Sequence, residues 1–68
     1  MHHIAVFRIR QSFGRTLAYP DNSKARALCA LLQRSTFPVW AIEPARLLGV
    51  SLLKVSGEPL TPVDFLTV

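Results

Sequence analysis

The chain has 68 residues, half of them hydrophobic, and its eight Lys and Arg outnumber four Asp and Glu to give a formal charge of +4. One domain is the limit at this length, because a chain so short buries only about 60% of the surface that its unfolded form exposes. The hydrophobicity excludes intrinsic disorder, the single cysteine, Cys29, excludes an internal disulfide framework, and no apolar run reaches the roughly 18 residues that a membrane span requires.

Residues 1–3 read as a flexible terminus, with His2 and His3 frayed rather than ligating a metal. From Ile4 to Phe13 the residues alternate: Ala5, Phe7, Ile9, Gln11 and Phe13 share one face, and Ile4, Val6, Arg8, Arg10 and Ser12 share the other. A period of two predicts a half-buried strand with Phe7 and Phe13 turned into the core. Gly14 supplies a tight turn, and "RTLAY" pairs back as a second strand ended by Pro20.

"PDNSKARALCALLQRS" predicts a helix, with Asp21, Asn22 and Ser23 all competent to cap it. Ala25, Leu28, Cys29, Leu31 and Leu32 form its apolar stripe, and Arg26, Gln33 and Arg34 lie opposite. Cys29 is a packing residue on this reading, with no general base implied nearby. For "STFPVWAIEPARLLG" the expectation is a second helix from about Pro38 to Leu48, capped by Ser35 or Thr36, bent at Pro44 and closed by Gly49. A strand "FPVWAI" followed by a short helix is the competing reading. "VSLLKV", Val50–Val55, is β-rich and apolar on both faces, so a central or interface strand is expected. Residues 57–68 form a C-terminal arm that docks extended or adds an edge strand. The expected fold is a single α+β domain of order ββααβ.

The charge is uneven. Residues 1–34 hold Arg8, Arg10, Arg15, Lys24, Arg26 and Arg34 against Asp21 alone, a balance of +5, whereas residues 35–68 balance at −1. Such asymmetry points to a basic face for nucleic acid or for an acidic protein. Arg8 and Arg10 on a strand, Arg15 at the turn and Tyr19 beside them combine cations that follow phosphates with a ring that stacks on bases. Lys24, Arg26 and Arg34 extend that footprint if the helix presents them on the same side. The second helix carries only Glu43 and Arg46 as charges, too few for a helix that reads base edges in a major groove.

Catalysis has little support. Asp21, Glu43, Glu58 and Asp64 are scattered, with no glycine-rich phosphate loop, nucleophile elbow or metal-binding helix motif. No enzyme activity, cofactor or metal is expected. The apolar second half exceeds what one small core needs, so Phe37, Trp40, Ile42 and Leu53 are assigned to a homodimer or partner interface.

"RIRQSFGRTLAYPDNSKARALCALL", then "STF" and "LLGVSLLKV", resembles a loose group of short uncharacterised proteins of bacteriophages, filamentous ones among them, and of related mobile elements. The shared pattern is an arginine strand, an aromatic-Gly turn, a "YP" stop, a helix, and a Thr-capped second helix running through Leu-Gly into a last strand. It covers about residues 8–55, favours the bent helix, and departs from the group at Pro44. Phage origin favours a small accessory or regulatory protein, and the single cysteine with Arg8 and Arg10 interrupting any apolar leader run predicts that it is cytoplasmic in the bacterial host cell. That protein would bind nucleic acid through the arginine hairpin or, alternatively, inhibit a host enzyme or defence complex through the same basic face.

Overall fold

The computed structural model describes residues 3–65. Strands β1 (His3–Ser12) and β2 (Arg15–Pro20) form an antiparallel hairpin, helix α1 (Ser23–Leu31) follows, and a 3₁₀ turn at Val39–Ala41 runs into helix α2 (Ile42–Leu47). Strand β3 (Val50–Lys54) closes the sheet, and a second 3₁₀ turn occupies Pro62–Phe65. The chain is a single small α+β domain of order ββααβ. Its sheet runs β2-β1-β3, antiparallel between β1 and β2 and parallel between β1 and β3. Among the described residues no helix is long and apolar enough to cross a membrane.

His3 is the first residue of β1 and pairs with Val50, so the ordered strand begins within the segment read as flexible; His2 lies outside the described residues. The hairpin's last pair is Ser12 with Arg15, which leaves a two-residue loop of Phe13 and Gly14, both at positive φ (51° and 75°). These are the signs of a type I′ turn, whose twist matches that of the flanking strands. The alternation therefore ends at Ser12. Phe13 is fully exposed rather than in the core.

Pro20 sits opposite Phe7 in the β2 ladder. The Phe7 carbonyl accepts from the Val55 N–H on the β3 side, so Phe7 offers β2 no hydrogen bond at this pair and the N–H that proline lacks is not missed. Beyond Pro20 the chain still follows β1. The Asp21 N–H donates to the Val6 carbonyl at 2.8 Å, and the Asn22 side chain accepts from the Val6 N–H at 3.1 Å and donates to the Ile4 carbonyl at 2.9 Å. The same Asn22 Oδ1 caps α1 by accepting from the Ala25 N–H at 2.9 Å.

Helix α1 ends in a Schellman motif. The Arg34 N–H reaches the Cys29 carbonyl and the Gln33 N–H reaches that of Ala30, with Gln33 in the left-handed region at φ 56°. The second helical segment is helical from Val39 to Leu47 in two pieces, without a strand at "FPVWAI". Neither Ser35 nor Thr36 caps it; Pro38 occupies that position with no side-chain hydrogen bond. Pro44 is the third residue of α2, within the first turn, where a backbone donor has no intrahelical partner to lose. Gly49, at φ 88°, ends α2 and turns the chain into β3.

The core joins one sheet face to the helices: Ala5, Phe7, Ala18 and Leu52 from the strands meet Ala25, Cys29, Ala41, Ile42 and Ala45, with Phe37 and Leu60 between elements. Five of these eleven residues are alanine, so the backbones approach closely and bulk is concentrated in a few side chains. Phe7 and Phe37 stack with ring centroids 4.7 Å apart. Burial pushes the Cys29 thiol up from its ordinary pKa, which keeps it protonated and makes it a packing residue.

β3 is not central. It pairs on one side with β1, and along the other the chain turns back on itself, with Pro59 bridged to Leu53 and the Lys54 N–H donating to the Glu58 carbonyl. The C-terminal segment is bound to the sheet rather than loosely appended. Leu60 is buried with its N–H on the Leu52 carbonyl, and Pro62–Phe65 lies against β2. Lys54 Nζ meets Asp64 Oδ1 at 2.9 Å. Residues 66–68 of the expected arm lie outside the described residues.

Candidate nucleic-acid interface

Because strand side chains alternate, burying Ala5, Phe7 and Ala18 turns their neighbours to the opposite face of the sheet. That face carries Ile4, Val6, Arg8, Arg10 and Ser12 from β1, Arg15, Leu17 and Tyr19 from β2, and Ser51 and Leu53 from β3. The register places Arg8 opposite Tyr19, Arg10 opposite Leu17 and Ser12 opposite Arg15. Both helices bury their residues in the core on the other side. Directly opposed side chains have Cβ atoms about 5 Å apart, and Arg8 and Arg10, two residues apart on one strand, stand roughly 7 Å apart.

Arg8 and Arg10 are exposed and Tyr19 is half-buried. Arg8 is partly neutralised: its guanidinium donates to Asp21 Oδ1 at 3.2 Å across an exposed site. Arg10 and Arg15 have no ion-pair partner among the described residues. The face is therefore a short basic row interleaved with Tyr19, Leu17 and Val6, with its free charge at the hairpin end.

The other expected cations divide. Arg34, held by the Schellman turn, lines a groove of about 250 Å³ at the β2 edge together with Arg15, Thr16, Thr36 and Phe65. Thr16 Oγ1 is buried beside this groove without a hydrogen-bond partner among the described residues. Lys24 and Arg26 are exposed on α1, the helix that covers the opposite side of the sheet; Lys24 borders a separate groove with His3, Leu31 and Val50. The structure thus brings Arg8, Arg10, Arg15 and Tyr19 together, adds Arg34 at the edge, and leaves Lys24 and Arg26 behind.

The expected apolar interface also divides. Phe37 and Ile42 are buried core residues, 2% and 1% exposed, and are corrected from interface to core: Phe37 fills the space over Phe7, and Ile42 anchors α2 to the sheet. Leu53 is half-buried on the open sheet face. Trp40 is 60% exposed, beside a narrow apolar groove between α1 and α2 that Leu31 and Leu48 also border.

Asp21 and Phe13 are the site residues that the sequence reading missed. Asp21 reads in sequence as a helix cap and a lone acidic charge, although its position after "YP" puts it alongside β1 near Arg8. Phe13 was assigned by extending the strand alternation through the turn, where a loop of two residues breaks it.

No protein-family model matches the chain, and no curated protein or solved structure matches it either. The functional reading rests on this geometry.

Proposed function

We propose that the chain binds single-stranded nucleic acid across the open sheet face, as a small accessory or regulatory protein of phage or mobile-element type acting in the bacterial host cell. The observation that carries this reading is the register, which sets Arg8 opposite Tyr19 and continues the row through Arg10 to Arg15 on the sheet face away from the helices. Cations on such a surface follow the phosphates while the ring takes a base face, which favours strands whose bases are already unstacked. A duplex reader is less well supported. Helix α1 is packed on the sheet through Ala25 and Cys29, and α2 has only six residues.

Binding by this surface is driven by counterion release and is sensitive to salt. Titration of labelled single-stranded and double-stranded oligonucleotides at several salt concentrations tests it. Arg10 and Arg15, the two hairpin arginines without an ion-pair partner among the described residues, correspond on a single strand to a log–log salt slope of about −1.4, and Arg10→Ala and Arg15→Ala each flatten it by about 0.7. Absence of binding at about 50 mM salt removes the reading.

One observation favours a second reading, an acidic host protein as the partner. Arg8 and Arg10 stand beside Tyr19 on that face, and arginine with tyrosine is also what protein hot spots use. A partner held this way retains affinity at salt concentrations that release a nucleic acid. Homodimerisation through the exposed Trp40 side belongs with this reading, and light scattering tests it.

A further inference from the structure

The tip of the β1–β2 hairpin breaks a local rule without gaining anything inside the fold. A two-residue loop with both residues at positive φ selects Asn-Gly, Asp-Gly or Gly-Gly, since these tolerate the left-handed region. Gly14 obeys the rule. Phe13 does not: it holds φ 51° with its side chain 101% exposed. A bulky aromatic at positive φ is an outlier, and this one buries no surface in exchange. Strain kept at a position that the core does not need points to a role outside the core.

Its surroundings indicate the role. Phe13 stands at the hairpin end of the arginine row, one residue from the Ser12–Arg15 pair and three from Arg10, and neither arginine has an ion-pair partner among the described residues. A ring held clear of the fold between cations free of counter-charge is the chemistry that takes a base with its flanking phosphates. Tyr19, opposite Arg8, lies further along the same hairpin, roughly 16 Å from the tip by strand rise.

We propose that Phe13 is an aromatic anchor on which one unstacked base of a single-stranded nucleic acid stacks, with Arg10 and Arg15 holding the adjacent phosphates. This rests on the nucleic-acid reading of the sheet face and adds to it a second stacking position and a direction, from Tyr19 towards the hairpin tip. The turn sequence Phe-Gly then sacrifices some stability for contact with ligand.

Three variants of the full chain test this against a single-stranded oligonucleotide carrying 2-aminopurine, whose fluorescence falls on stacking. Phe13→Asn restores the preferred turn pair, so its Tm rises by several degrees. Its affinity nevertheless falls, by between about 5- and 150-fold for one lost stack, while the salt slope is unchanged because no cation is removed. Phe13→Trp keeps both the affinity and the quenching. Phe13→Leu keeps apolar area without a π-face and loses both. Wild-type affinity in Phe13→Asn overturns the anchor and leaves the sheet-face reading standing. Full affinity in Phe13→Leu overturns base stacking in favour of non-specific apolar contact with the oligonucleotide. If wild type binds no oligonucleotide at low salt, the sheet-face reading and the anchor fall together.

Discussion

Asn22 stands beside Val6 in place of a strand residue: its Oδ1 accepts from the Val6 N–H at 3.1 Å, and its Nδ2 donates to the Ile4 carbonyl at 2.9 Å. The same oxygen accepts from the Ala25 N–H and starts α1. One carboxamide thus continues the β1 ladder past Pro20 and caps the helix that packs on it. Asn22→Ala removes the cap and both ladder contacts, and a loss of about 2 kcal/mol is expected. Asn22→Asp keeps the Oδ1 acceptor but turns a carboxylate oxygen towards the Ile4 carbonyl, so it recovers only part of that loss. Urea denaturation of the two variants checks the order. Equal losses would show that the Oδ1 contacts contribute nothing.

Phe37 and Trp40 are three residues apart and differ in what they hold. Phe37→Ala empties the space over Phe7 and costs about 3–5 kcal/mol. That equals most of the stability of a domain this small, at roughly 0.05–0.15 kcal/mol per residue. Trp40→Ala, at a largely exposed position, costs about 1 kcal/mol or less. Thermal melts followed by circular dichroism should show the first variant largely unfolded and the second folded.

Asp64 gives the fold a pH dependence. Its carboxylate accepts from the Thr61 N–H at 2.9 Å, and Lys54 and the Thr61 hydroxyl also donate to it, which holds its pKa below the ordinary aspartate value. A carboxyl whose pKa is lowered in the folded state contributes stability above its ordinary pKa, about 3.9, and loses it as pH falls through the folded value. Asp64→Asn is therefore less stable than wild type at neutral pH, and the gap closes below about pH 4. Lys54, raised chiefly by its hydrogen bond to Asp64, adds the complementary loss in alkali. A gap that stays constant from pH 3 to 7 would mean that Asp64 acts through shape alone.

Asp21 competes with any anionic ligand for Arg8, at 3.2 Å. Asp21→Asn releases that guanidinium and removes one negative charge from the face. Single-strand affinity should rise about 3- to 10-fold at low salt, and the salt slope should steepen by about 0.7. Stability should change by less than about 1 kcal/mol, as expected for an exposed pair. Fluorescence anisotropy across a salt series measures both binding effects, and a weaker Asp21→Asn complex would assign Arg8 a structural role instead.

The order of elements was legible because its signals are local. Alternation from Ile4, glycines at the turns and an Asn-Ser start before an alanine-leucine run each act within a few residues. What escaped was set by partners distant in sequence. Nothing near Val50 states that it pairs with His3, or that β1 rather than β3 lies at the centre. Phe37 and Ile42 read as surplus surface in sequence because nothing local shows that a core with five alanines needs their bulk beside Phe7, Leu52 and Leu60. In the candidate site, the grouping of Arg8, Arg10 and Tyr19 followed from strand parity alone. The separation of Lys24 and Arg26 from them needed the face on which α1 packs, which periodicity cannot supply.

The parallel pairing of β1 with β3 imposes an order on folding. The hairpin closes between neighbours and α1 is anchored to it through Asn22, so both form from nearby sequence. The central strand, by contrast, waits for a partner that is not made until residue 54. During synthesis β1 therefore keeps one hydrogen-bonding edge open, flanked by Ala5 and Phe7, while about fifty residues emerge. Non-local strand pairing of this kind slows folding and leaves an edge open to other chains. Docking of β3 closes that edge, and the segment from Glu58 to Phe65 then packs over the strand that has just joined the sheet.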